Sequence, residues 1–183
     1  MGMAAPIYYT ADMVRALPED GNVYEVVHGE LLVSPAPRLW HEEVAARLQE
    51  MVRAYLRGEP VGLAIGSRSD LSWGLKDVLV SPDLFVVPLD EARQLDWLTL
   101  RTVLLAAEVL SPSSLRADRF TKRRLYQERG VPLYWVVDPD ERCVEIWRPD
   151  DDFPAIERET LVWNPAGASA PFTLELTELF RPI

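Results

Sequence analysis

Cysteine is almost missing from this chain, and the single one, Cys143, excludes an internal disulfide framework and any zinc site built from several thiolates. That usage fits a reducing cytoplasm, which is the expected location. No apolar run approaches the length that spans a bilayer, and residues 1–10 carry neither the basic nor the apolar stretch of a secretory leader, so no membrane partner is expected. Positive charge is short as well. With a formal net charge of -10 at pH 7, the surface as a whole is not built to grip a polyanion, and a nucleic-acid partner would have to be met by a local cluster of cations. Lysine is scarcer still: Lys76 and Lys122 are the only two, in a chain that otherwise uses arginine. No repeat, low-complexity tract or linker is visible in the 183 residues. With 48% of them hydrophobic, they suffice for one well-buried domain and are few for two.

What is present is organised around residues 104–112, Leu-Leu-Ala-Ala-Glu-Val-Leu-Ser-Pro. An uninterrupted aliphatic run closed by Ser-Pro reads as a strand buried on both faces. Glu108 stands in its middle, where an ionised side chain is costly unless a cation, a metal or a set of donors meets it. Two readings stay open from this stretch alone. Glu108 is either a functional carboxylate or a structural one, paired with an arginine or reaching water at a strand end.

Before that strand, Thr10 is suited to cap a short helix over residues 11–17, with Pro18 as its stop. Residues 23–27 and 30–34 read as two strands around His28-Gly29, with Glu25 on the face of Val23 and Val27. Val44, Leu48, Met51, Val52 and Tyr55 make one apolar stripe of a long helix over residues 39–57, and His41 lies on that stripe. Strands are expected at residues 61–65 and 84–87, separated by a polar turn region at 68–77. Ser81-Pro82-Asp83 introduces the second of them, a position that tolerates proline. Residues 90–100 look helical or irregular.

After the Glu108 strand, Ser111 to Ser114 offer hydroxyls to cap a helix over residues 115–129, ended by Gly130. Lys122 falls on its face with Leu125, Tyr126 and Asp118, from which its ammonium can point back toward the Glu108 strand, although Phe120 breaks the stripe. Arg116, Arg119, Arg123, Arg124 and Arg129 crowd the same segment, as a solvated face or as phosphate contacts. Strands at residues 134–137 and 143–147 flank an Asp138-Pro139-Asp140 turn. An edge strand at 157–163 and a last helical turn at 176–180 follow. The order describes an α/β domain whose central mixed sheet is flanked by helices. Residues 1–183 form one domain, the first 22 or so being an N-terminal extension with a short helix. Trp135, Trp147 and Trp163 are either ordinary core and rim aromatics or the lining of a self-association surface.

If the strands carrying Asp83 and Glu108 pair, both carboxylates project to one side. Two carboxylates held close in a dry site force one to take a proton unless a dication lies between them, and oxygen-only ligation suits magnesium or manganese. Such an ion activates water and stabilises phosphodiester oxyanions, while a nearby lysine neutralises charge.

Ser-Pro-Asp83 before an apolar strand, Glu108-Val-Leu-Ser-Pro-Ser-Ser, then Asp118, Lys122, Tyr126, Gly130-Val and Tyr134-Trp-Val-Val-Asp-Pro together resemble the PD-(D/E)-x-K nuclease superfamily. Within it the chain is similar to the Uma2 family of bacterial restriction endonuclease-like proteins. Tyr24-Glu25, Gly29-Glu30-Leu and His41 extend the match, which runs from about Tyr24 to Phe180. The resemblance implies a restriction-endonuclease-like fold and a metal-dependent DNA endonuclease that hydrolyses phosphodiester bonds. Asp83 and Glu108 would be metal ligands, and the Val109 carbonyl would complete the shell. The superfamily lysine normally stands two residues after the second acid, where this chain has Leu110. Lys122 is its implied counterpart and the third catalytic residue. Glu25 and His41 are either structural residues or accessory positions that supply an extra ligand or a base, Tyr126 is a further accessory position, and Arg119, Arg123 and Arg124 are the expected nucleic-acid contacts, on DNA or another nucleic acid. An enzyme that cuts two strands would suit a homodimer or higher homo-oligomer. The alternative is a non-catalytic nucleic-acid-binding module that keeps the nuclease fold.

Overall fold

The computed structural model describes residues 7–66 and 69–183. The start of the N-terminal extension, and Arg68 at the start of the expected turn region, lie outside the described residues. Thr10 caps α1 (Ala11–Arg15), its hydroxyl accepting from Met13 N at 3.3 Å. Strands β1 (Val23–Val27) and β2 (Glu30–Ser34) form a two-stranded hairpin. Its two turn residues, His28 and Gly29, have φ of 50° and 80°, the pair of positive values that a tight two-residue hairpin turn demands. The long helix α2 (Leu39–Gly58) follows, then β3 (Gly62–Gly66), β4 (Leu84–Pro88), the short α3 (Leu89–Ala92) and β5 (Leu105–Val109).

The helix expected over residues 115–129 is built differently. A π-helical turn, Ala117–Lys122, runs into a short α-helix, α4 (Arg123–Glu128). A π turn holds one more residue per hydrogen-bonded ring than an α turn and so shifts the phase of the segment before it. Phe120, the residue that broke the apolar stripe, is 57% exposed, whereas Asp118, Lys122, Leu125 and Tyr126 are buried.

Strands β6 (Tyr134–Asp138), β7 (Cys143–Trp147) and β8 (Ala155–Glu157) complete a six-stranded sheet in the order β3-β4-β5-β6-β7-β8. Only β5 and β6 pair in parallel, and the crossover between them is the segment that carries the π turn and α4. The expected edge strand at 157–163 divides at a bend: Glu157 ends β8, while β9 (Thr160–Trp163) pairs with β10 (Phe172–Glu175) in a separate sheet. Leu161 and Trp163 bury themselves against the core instead of extending the sheet edge, which accounts for the break. The short α5 (Leu176–Leu179) ends the fold.

Alternation along β5 and β6 sorts the core into two faces. Leu105, Ala107, Val109, Trp135 and Val137 pack with Val44, Leu48 and Val52 of α2 and with the β9–β10 hairpin. Ala106, Tyr134 and Val136 face the other way, toward Leu125 and Tyr126 of α4. Glu108 belongs by parity to the second face. Trp135, Trp147 and Trp163 are all core residues. Among the described residues no helix is long and apolar enough to cross a membrane.

Leu48 is fully buried and Leu39, on the same helix, is 77% exposed. In urea denaturation, Leu48→Ala is expected to lose about 3 kcal/mol, whereas Leu39→Ala should stay within about 0.5 kcal/mol of the parent.

Candidate active site

Strand pairing brings the two leading carboxylates together. β4 and β5 are antiparallel with Leu84 opposite Ala107, so one further step sets Asp83 opposite Glu108. Asp83 lies immediately before β4. Its Oδ2 accepts from the Val109 backbone N–H at 2.8 Å, and its Oδ1 is 3.3 Å from Nε2 of His41 in the first turn of α2. Glu108 is 3% exposed, and its Oε1 accepts from Lys122 Nζ at 3.2 Å and from the Tyr126 hydroxyl at 3.0 Å. Among the described residues no donor reaches its Oε2.

Lys122 is the centre of the site. Besides Glu108, its ammonium meets Glu25 Oε2 at 2.8 Å and Asp118 Oδ1 at 3.1 Å. Glu25 arrives from the β1–β2 hairpin, and its Oε1 accepts from Ser81 N at 2.8 Å, close to Asp83 in sequence. Asp118 and Lys122, four residues apart, share one face of the π turn, and the Tyr134 hydroxyl donates to the Asp118 carbonyl at 3.0 Å. Tyr126 is clamped between the rings of Trp73 and Tyr134, with centroids at 6.2 and 4.6 Å.

The electrostatics follow from burial. Burial drives the carboxyl pKa of Glu108 well above its usual range and raises that of Glu25, because the single ammonium of Lys122 only partly compensates them and their acidic neighbours. Burial opposes the charge on Lys122, but Asp118, Glu108 and Glu25 outweigh it and hold the ammonium firmly protonated. For His41, burial likewise disfavours protonation, yet the Asp83 hydrogen bond and the surrounding carboxylates carry its pKa above the ordinary histidine value. Among the described residues, Glu25, Asp83, Glu108 and Asp118 therefore face one ammonium and one imidazole.

These groups line a cleft of about 520 Å³ whose walls include Glu25, His41, Asp83, Glu108, Asp118 and Lys122, with Val109 and Ser81. The expected nucleic-acid contacts are not in it. Arg119 is held by Asp138 at 2.8 Å and Glu145 at 2.7 Å, and Arg123 lies over the Trp147 ring at 4.5 Å. Arg124 is exposed, away from the cleft lining. Leu110, two residues after Glu108, is a buried core residue on the α4 face.

Among the described residues no three carboxylate, imidazole or thiolate groups form a ready-made metal cage. The donor set still fits a hard dication. Asp83 and Glu108 face each other across the strand pair, one Glu108 oxygen lacks a protein donor among the described residues, and the cleft has an excess of negative charge. Two carboxylates with a backbone carbonyl and water are an ordinary shell for magnesium or manganese.

Sequence reasoning reached Asp83, Glu108, Lys122, Tyr126, Glu25 and His41, and the structure gathers all six in one cleft or its wall. It passed over Asp118 as a site residue, although the four-residue spacing from Lys122 was a readable sign. The Ser81 amide and the Tyr134 hydroxyl left no sign, because what each touches depends on packing.

A mixed sheet flanked by helices, with an acidic cleft at the paired strand ends and a lysine supplied by the next helix, defines a restriction-endonuclease-like α/β protein. The chain belongs to the Uma2 family, described as "Putative restriction endonuclease", whose family model matches residues 11–178. It is also similar to a crystal structure from Anabaena variabilis ATCC 29413, described as a putative nuclease belonging to DUF820. The TM-score is 0.76 at 23% identity, over 94% of this chain and 97% of that one, a likeness in fold. No curated protein matches the chain.

A glutamate whose folded pKa is raised contributes stability that is present below its unfolded pKa and lost as pH rises through the folded value. Glu108→Gln removes that loss. The melting temperature of Glu108→Gln relative to the parent should therefore rise steadily from pH 4.5 to pH 8. A difference that is flat or falls with pH would contradict the assigned direction.

Proposed function

We propose that this protein is a magnesium- or manganese-dependent endonuclease that hydrolyses phosphodiester bonds in DNA. The observation that carries the reading is the cross-strand pair Asp83 and Glu108 in an acidic cleft, with Lys122 against Glu108. The nuclease descriptions of the family and of the Anabaena protein support it. Asp83, Glu108 and the Val109 carbonyl would hold the dication, which when bound supplies Lewis-acid activation of water and charge for the phosphoryl oxygens.

The remaining roles belong to the chain's own side chains. Lys122 keeps its proton in this setting, so it acts as a fixed positive charge beside the reacting phosphate and not as the base. Tyr126 orients Glu108 through Oε1, and His41 orients Asp83 through Oδ1. Glu25, braced by the Ser81 amide, holds Lys122 from the hairpin side. The aliphatic floor of β5 keeps water out from below.

The alternative, a non-catalytic module gripping phosphates, is disfavoured by the same cleft. Its described lining has acidic residues and no arginine, and Arg119 and Arg123 are engaged elsewhere. DNA should accordingly bind weakly unless a dication is present.

Purified protein is expected to nick supercoiled plasmid with manganese or magnesium and to stop when chelator is added. Glu108→Gln and Asp83→Asn should each slow cleavage by about 100-fold or more while still folding. Cleavage that survives chelation, or that Glu108→Gln leaves intact, would contradict the reading.

A further inference from the structure

We propose that Asp118 is a positioning residue: together with the π turn it shares with Lys122, it sets the lysine ammonium against Glu108. Its effect on cleavage rests on the nuclease reading above; the placement of the ammonium stands apart from it.

Three carboxylates surround Lys122 Nζ, and they are not equivalent. Glu108 is the group to be charge-balanced, and Glu25 reaches in from a hairpin that forms its own sheet. Asp118 alone sits on the same element as the lysine, so it holds Nζ wherever that element goes. It is 2% exposed, and a carboxylate so deeply buried is costly without a cation, which Lys122 provides as an ion-pair contact at 3.1 Å, Asp118 Oδ1 having no hydrogen-bond partner among the described residues.

The backbone is shaped to the same end. A π turn is a poorer hydrogen-bonding arrangement than an α turn and is found disproportionately at functional sites. Here it spans Ala117–Lys122, with Asp118 in its first part and Lys122 at its end. The Tyr134 hydroxyl, projecting from β6, braces it by donating to the Asp118 carbonyl at 3.0 Å. The sheet thus fixes the turn, the turn fixes Asp118, and Asp118 fixes the direction of a long, flexible lysine.

The chain has only two lysines, and the other, Lys76, is exposed, so the ammonium groups are directly readable by nitrogen-15 NMR. The parent should show one slowly exchanging ammonium signal, absent in Lys122→Met. In Asp118→Asn, with melting temperature little changed, its protons should exchange about tenfold faster or more. Tyr134→Phe, which removes only the brace on the turn, should shift the same signal and serves where Asp118→Asn does not fold. In cleavage assays Asp118→Asn should lower kcat about tenfold with KM unchanged, and adding it to Lys122→Met should cost nothing further. An unchanged ammonium signal in both the Asp118 and Tyr134 variants, or losses that multiply with Lys122→Met, would overturn the proposal. A parent that binds metal and cuts no DNA, while the signal behaves as described, would support the placement and overturn the nuclease reading.

Discussion

The Lys122 ammonium lies within 3.2 Å of carboxylates from three parts of the fold: Glu25 of the first hairpin, Glu108 of the central strand and Asp118 of the crossover segment. Each of those carboxylates is buried, and none would tolerate its charge there alone. The hairpin, the sheet and the helical crossover are therefore tied at one atom. Removing that atom would leave three buried acids to be neutralised by protons. Such a tie contributes specificity of arrangement more than net stability, since a buried ion pair regains little beyond its desolvation cost.

Among the described residues, one ammonium and one imidazole do not balance the carboxylates of the cleft. With Asp83 across the strand pair, four carboxylates gather around Lys122 and His41, and Glu19, Glu42 and Asp70 also line the cleft; among the described residues this excess of negative charge beside an aliphatic sheet underlies the proposed dication site. It also explains how an acidic protein can be proposed to act on an acidic polymer. On the proposed reading, attraction would come from a dication at the phosphate, since Arg119 is engaged by Asp138 and Glu145 and Arg123 lies over Trp147.

Much of this was legible beforehand, for definite reasons. A carboxylate inside an uninterrupted aliphatic strand announces itself, as Glu108 does, and a proline-led strand start marks Asp83. The rarity of lysine singled out Lys122. Glu25 was harder: alternation placed it with Val23 and Val27 but could not say what the hairpin packs on, and that depends on a long-range bridge between Val26 and Leu79. The π turn was invisible because its one-residue phase shift looks, in sequence, like a flawed amphipathic helix with Phe120 out of place. The partners of the arginine run were not legible, because charge in sequence does not show that Arg119 meets Asp138 and Glu145 or that Arg123 lies over Trp147. The splitting of the last expected strand into β8 and β9 had the same origin, a bend whose cause is the core beneath it.

The most direct test of the central claim is a crystal structure of the protein grown with manganese, read by anomalous scattering at the manganese edge. The account predicts a single strong peak between the carboxylates of Asp83 and Glu108, with Lys122 still beside Glu108. Manganese bound elsewhere on the surface, or no peak in the cleft at millimolar manganese, would contradict it.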